Sequence, residues 1–340
     1  LDGGKLWEKF QLNLPVVPIT DLTIRNNDLV ASTQGRSFWI LDDLTQIHQY
    51  NSKIESKDFH LFKPGIAYRT SGGSSKSKTI GQNPPNGAVV IYHLSNKPEK
   101  EISAKLEILL NDRVIRTINS KPGESAIMFD NGSYSSPTIS LKKGMNRFIW
   151  NFRVDDITMV KDVSFYGSYA GYRIGPDNYT VRLTIGEVSM DQPLIVKRDP
   201  RVEVKDRDNR THQQMMSDLY IQINDLHSSI SKARNIKTQI KKMNNEIEGM
   251  DNMNELLQTG KDAIQALNEW EGDVIQTKME TFQDVVNFLN RLNSHMINLL
   301  GTIDRSDPPL TQGQIDRYSD LTDEWYNYKK ILDEIINNQI

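Results

Sequence analysis

The sequence predicts a multidomain chain of β plus α type: a short run of strands, a β-sandwich in the middle and an antiparallel helical bundle at the C-terminal end. Three rhythms within its 340 residues carry this reading. Up to about residue 45, short apolar runs alternate between tight Asn, Asp and Gly turns. From 87 to about 198 such runs recur six or seven times. From Thr211 onward the apolar residues step by threes and fours, the period of an amphipathic helix.

The first segment, 1–45, reads as a β-meander. Leu22–Arg25, Leu29–Thr33 and Ser37–Leu41 are the strands, and Asn26-Asn27-Asp28 and Gln34-Gly35 are the turns. Phe38 and Trp39 are expected to pack, because aromatic rings supply much of the area a small sheet can bury. Asp42 and Asp43 should end the third strand and bond local amides, as Asp does in turns. Residues 46–86 read as a connector. Its Ser71–Lys78 stretch is rich in Gly, Ser and Lys and reads as a loop tip. It has neither the spacing nor the strand-to-helix setting of a phosphate-binding loop.

In the segment 87–200, strands are expected over Ala88–Leu94, Ala104–Leu110, Val114–Ile118, Asn146–Phe152, Asn178–Ile185 and Asp191–Lys197, with hairpin turns at Asn111-Asp112 and Gly186-Glu187. That number and spacing fit a sandwich of the immunoglobulin or fibronectin-III kind. In the segment 201–340, a near-heptad seam runs from Met216 through Leu219, Ile223, Leu226 and Ile230 to Met250. Further helical patterns span Leu256–Val274, Phe282–Ile303 and Ile315–Ile335. Thr311 and Gln314 have capping-box spacing at the start of the last. Four such helices with short joints make an antiparallel bundle.

Composition narrows the function classes. With 37% apolar residues and a mean hydropathy of −0.55, several small domains fit better than one large core. The net charge is −3, from 41 basic and 44 acidic residues. That balance suggests neither a nucleic-acid groove nor a polybasic membrane patch. There is no cysteine, which removes disulfides, thiolate zinc sites and cysteine nucleophiles. No apolar run approaches the ~18 residues of a membrane span.

No catalytic, cofactor or metal site is expected. The six histidines (His48, His60, His93, His212, His227 and His295) include no i,i+4 pair and no H-E-x-x-H. No Ser stands in G-x-S-x-G, and Asp206 and Asp208 are too few for an EF-hand loop. Glycosidases need two carboxylates. Neighbours on a strand point to opposite faces, so neither Asp42 with Asp43 nor Asp155 with Asp156 makes a facing dyad alone. Glu55 and Asp58 are the other candidates. Tyr166, Tyr169 and Tyr172, spaced by glycines, could stack on a sugar, although capping the sandwich edge is the reading the residues favour. Asn131, Asn178 and Asn209 stand in N-x-[ST]. The eleven methionines, mostly after residue 215, suit adaptable core filling or, alternatively, a partner groove.

Thr33–Leu44, with Gln34, Gly35, Arg36, Trp39, Asp42 and Asp43 in it, resembles the last blade of the large secreted β-propellers related to sortilin and to BNR-repeat glycosyl hydrolases. Trp7 to Asp43 is similar throughout. Gly81-Gln82-Asn83-Pro84-Pro85-Asn86-Gly87 resembles the family's entry to its next domain, and Asp199-Pro200-Arg201 its exit to the helices. Pro176-Asp177-Asn178-Tyr179 departs from the family's Pro-Gly-x-Tyr. The resemblance implies a partial propeller blade, the C-terminal part of a longer exported bacterial protein, and an upstream propeller as partner, in the same protein or on another chain. It implies carbohydrate or polypeptide as possible ligands. The S-x-D-x-G-x-T-W box is absent, so no catalytic residue carries over. The favoured function is a non-catalytic structural and interaction region. The alternatives are the accessory part of a glycoside hydrolase with upstream catalytic residues and a sortilin-like polypeptide receptor or scaffold. A partial blade should also expose an unpaired edge and an uncovered face.

Overall fold

The computed structural model describes all residues except 1–3, 6, 8, 71–80, 82, 124, 128–132, 164, 166, 279–282, 285, 286 and 340. It is a mixed β-plus-α chain with several small sheets and a C-terminal helical region. Strands β1 (Ile19–Arg25), β2 (Asp28–Thr33) and β3 (Phe38–Leu41) form one antiparallel sheet in that order. The β1–β2 turn is Asn26-Asn27, with φ of 50° and 69°. A two-residue hairpin matched to strand twist needs both residues left-handed, which Asn tolerates.

The segment expected as a bare connector carries structure. After two short helices, α1 (Thr45–Gln49) and α2 (Ser52–Glu55), come β4 (Phe59–Leu61) and β5 (Ala67–Arg69). The remaining strands are β6 (Ala88–Leu94), β7 (Ala104–Leu110), β8 (Arg113–Asn119), β9 (Ser125–Ile127), β10 (Ser133–Ser135), β11 (Gly144–Trp150), β12 (Asp177–Ile185) and β13 (Val188–Arg198). β4 pairs with β6, and β5 runs parallel to β13. The connector is therefore woven into a three-stranded sheet, β11-β6-β4, and a five-stranded sheet, β5-β13-β12-β7-β8. Three-residue strands are too short to show a period in sequence; their partners hold them. The sheets share one core, in which Val90, Tyr92 and Trp150 of the first meet Leu106, Ile108, Val181 and Leu183 of the second. Asn111 and Asp112 turn β7 into β8 with φ of 49° and 64°, and Gly186 turns β12 into β13 at 59°.

Helices α3 (Asp206–Ile247), α4 (Asn254–Val274), α5 (Leu292–Arg305) and α6 (Gln312–Gln339) follow. Their core joins Met216, Leu219, Ile223 and Ile230 of α3 to Leu267 and Trp270, Met296 and Leu300, and Leu321 and Trp325. The Thr311 hydroxyl accepts from Gln314 N–H while the Gln314 side chain accepts from Thr311 N–H, so the expected capping box forms. Side-chain contacts fix the helix directions. Gly260 lies against Asn244 and Glu271 against Arg234, so α4 runs opposite to α3. His227 meets Asn293 and His212 meets Ile303, so α5 does too. Gln222 meets Thr322 and Asp225 meets Lys329, so α6 runs with α3.

Three expectations about the helices are corrected. The third helix was expected from Phe282, but it starts at Leu292; Leu289 is exposed, while Phe282 and Val285 lie outside the described residues. α4 and α5 run the same way and lie one after the other along α3, Glu271 of α4 beside Arg234 and Asn293 of α5 beside His227, with Asp273 and Arg291 3.8 Å apart, so they are successive parts of one arm and not antiparallel neighbours. The seam expected as far as Met250 is buried only to Ile240, with Met243 and Met250 exposed. At 1.5 Å per residue α3 is ~63 Å long and α5 only ~21 Å, and α5 covers the first half of α3, around His212 to His227. Among the described residues no helix is long and apolar enough to cross a membrane.

Candidate functional site

Two places carry more than packing requires: the faces of the N-terminal sheet, and the junction between the larger sheet and the helices. In the N-terminal sheet every residue of β1 is exposed. The register puts Leu22 beside Ala31 and Trp39, and Ile24 beside Leu29 and Leu41, on one face. The other face carries Val30 beside Ile40, and Phe38 beside Ser32. Leu22, Ile24, Phe38 and Ile40 are 58%, 61%, 72% and 60% exposed. Apolar side chains thus stand uncovered on both faces, and among the described residues no other strand continues the sheet.

The motif residues in this sheet build its turn and its anchor. Gly35 has φ of 83° and Ser37 of 61°. Gln34 N–H donates to Pro18 O, Arg36 Nη1 to Gly35 O, and Trp39 Nε1 to Arg36 O. Asp43 accepts from Asn27 Nδ2 at 2.8 Å, from the Thr45 amide at 3.1 Å and from the Thr45 hydroxyl, so it ties the sheet to α1. Burial, then Asp28, pushes the Asp42 carboxyl up. Gln82 lies outside the described residues, while Asn83, Pro84 and Pro85 lead into β6. There Gly87 is required: a Cβ would meet Trp150 O at 2.5 Å.

The other sequence candidates do not converge on a catalytic dyad. Asp155 accepts from the Thr117 amide at 2.8 Å, and burial raises its carboxyl. Asp156 instead pairs with Arg116 at 2.7 Å, in a buried ion pair. Glu55 accepts from Tyr50 at 2.6 Å. Tyr166 lies outside the described residues. Tyr169 is 1% exposed, its hydroxyl on Val160 O and its ring against Phe165, so it offers no face to a sugar. Tyr172 is partly buried against Tyr220. The glycine between them admits a close backbone approach, since a Cβ on Gly171 would stand 2.2 Å from Asp155 O. No group of three or more metal-ligating residues is found among the described residues.

At the junction, Asp304, 3% exposed near the end of α5, reaches the loop that follows β11. Its carboxylate accepts from Arg153 Nη2 at 2.9 Å and from the Arg173 amide at 2.7 Å. The Arg173 guanidinium lies beside it and donates to Asp304 O. Deeper in, His227 is fully buried, Nδ1 on Thr158 O and Nε2 facing Asn293. Burial holds its pKa below the usual imidazole range. Burial and Arg69 do the same to His212.

Beside Asp304 opens a cleft lined by Arg69, Arg173, Arg198, Asn209, Arg305 and Asp307, among others. About 90 Å³ of it is open to water-sized molecules. Its arginines come from β5, the loop before β12, the end of β13 and the end of α5. Sequence reasoning missed the cluster, because these residues are scattered along the chain; the parallel β5–β13 pairing that joins two of them involves a strand too short to foresee.

No family model matches the chain, and no curated protein matches it. Among solved structures it is similar to pT26-6p, at 12% identity over 82% of this chain and 49% of that one, with a TM-score of 0.12. The chain thus spans about half the length of that protein, and at this score the likeness carries no structural argument.

Proposed function

We propose that these residues are a non-catalytic structural and interaction region of an exported β-propeller protein. In this reading β1–β3 are part of its last blade, the two larger sheets are an immunoglobulin-like sandwich and α3–α6 are a helical bundle. The blade docks on the upstream propeller, in the same protein or on another chain. The observation that carries the proposal is the N-terminal sheet, apolar and exposed on both faces. Antiparallel sheets usually cover one face and wet the other. A propeller blade stacks between neighbours around a channel and has both faces covered. Exposed apolar area of this kind marks an interaction surface.

The test has two arms. Incubated with chromogenic glycosides and oligosaccharides, the chain should release no sugar. A hydrophobic dye should bind the chain, and the combined substitutions Leu22→Ser, Ile24→Ser, Phe38→Ser and Ile40→Ser should abolish that binding while leaving the unfolding midpoint of the rest unchanged. Turnover, or dye binding that survives the substitutions, would overturn the proposal.

A further inference from the structure

We infer that the cleft at the junction of β5, β13, α3 and α5 is a binding site for a tetrahedral oxyanion of the phosphate class. This inference does not depend on the propeller reading. Arg69 and Arg198 are register partners at the ends of the parallel strands β5 and β13. Like charges directly opposite on neighbouring strands destabilise a sheet, so the pair calls for a counter-charge between or above the two guanidinium groups.

The local carboxylates do not supply it. Of the charged residues lining the cleft, Arg173 is committed to Asp304, and Asp199 to Arg201, through Nε at 2.9 Å and through Nη2. That leaves Arg69, Arg198 and Arg305 against Asp307 alone, a surplus of two positive charges. A dianion matches that surplus. Arg69 Nη1 donates to Ile174 O, while no carboxylate pairs with Arg198 or Arg305 among the described residues. Burial and the neighbouring Arg173 and Arg198 all work against the charge on Arg69, with Asp304 and Asp307 opposing them.

Neutral donors stand nearby. Asn209 lines the cleft. Gln213, one turn further along α3, has a buried Nε2 with no hydrogen-bond partner and packs with Asn209 against Gly175. The competing acceptors are occupied: Asp304 O by Arg173, and Ile303 O by His212 and by the Ser306 amide. Size sets the class as well. One water needs ~10–15 Å³ in this measure, so 90 Å³ holds several waters. That admits a phosphate-sized group but not a drug-sized ligand. Guanidinium groups bind such oxygens in two-pronged fashion.

Titration calorimetry on the full chain at constant ionic strength tests this, with inorganic phosphate, sulfate, acetate and methyl phosphate as probes. One phosphate per chain should bind, with acetate at least about tenfold weaker. Arg198→Gln and Arg305→Gln should each weaken phosphate about tenfold or more, the scale of one hydrogen bond to a charged group. Arg305 is exposed, so its variant should fold as the parent does. Lys242→Gln, on the exposed far part of α3, should change nothing. Binding of methyl phosphate as tight as phosphate would support a site for the phosphorylated end of a larger molecule. Its failure beside tight phosphate would support a site for the free ion. No binding beyond matched chloride, acetate as tight as phosphate, or binding indifferent to both arginine substitutions would each overturn the inference.

Discussion

Replacing Asp304 by alanine probes how firmly the helices are fastened to the sheets. The side chain is almost wholly buried and satisfies three donors: Arg153 Nη2 at 2.9 Å, the Arg173 amide at 2.7 Å, and the Arg173 guanidinium, whose Nε lies 3.4 Å from Oδ2. Hydrogen bonds to charged groups contribute about 1.5–3 kcal/mol each, and breaking a buried ion pair costs about 3–5 kcal/mol. Both arginine side chains are 27% exposed, so water recovers part of that loss. The Arg173 amide loses its acceptor altogether. Asp304→Ala should therefore destabilise the chain by about 2–4 kcal/mol. Asp304→Asn keeps one carbonyl acceptor and should cost about half as much. Urea unfolding is the assay, followed by circular dichroism and by the fluorescence of Trp150 in the sheets and Trp270 and Trp325 in the helices, with the slope m unchanged. A double-mutant cycle with Arg153→Ala should give a coupling of about 1 kcal/mol or more. A loss below about 0.5 kcal/mol for Asp304→Ala, the level of an ordinary surface change, would refute the reasoning.

Gly171→Ala should cost about 1–3 kcal/mol or more, because its Cβ would meet the backbone oxygens of Asp155 and Val154 at 2.2 and 2.8 Å, neither of which can swing away; a urea midpoint equal to the parent's would contradict this. Stability should fall as pH drops through about 6.5. Burial lowers the folded pKa of His227 and His212, so the unfolded chain takes up protons first; the contribution is whole above the unfolded value and is lost below it. Each such histidine adds a slope of up to about 1.4 kcal/mol per pH unit in that window. His227→Asn should flatten the profile between about pH 6.5 and 5.5, and an unchanged slope would argue against the buried neutral imidazole. Phe38→Ser with Ile40→Ser should leave stability within about 0.5 kcal/mol, since both residues are exposed, while reducing self-association seen by light scattering.

Most elements were legible because they carry a period or a turn rule. The six strands expected between Ala88 and Lys197 are present as β6, β7, β8, β11, β12 and β13, and the Asn26-Asn27 and Asn111-Asp112 turns have the left-handed angles their residues favour. The elements that were missed lack a local signal. β4 and β5 are three residues each and exist through β6 and β13. The segment before Leu292 has a helical apolar period, yet Arg291 is extended. The serial order of α4 and α5 along α3 is set by contacts with distant residues, Arg234 and His227, and not by a local pattern. At the sites the limit is the same. Asp43 bonds its own turn and could be foreseen, whereas the meeting of Arg69, Arg198 and Arg305 depends on three distant elements.

Hydrogen exchange on the monomeric chain tests the central claim most directly, that β1–β3 form a sheet built to be covered by further protein. The account predicts fast exchange of the amides in Ile19–Leu41 and slow exchange in β7 and β12, whose Leu106, Ile108, Val181 and Leu183 are fully buried. Protection of Ile19–Leu41 equal to that of β7 and β12, in a chain shown by light scattering to be monomeric, would mean that the sheet is self-sufficient. The interaction reading would then fail.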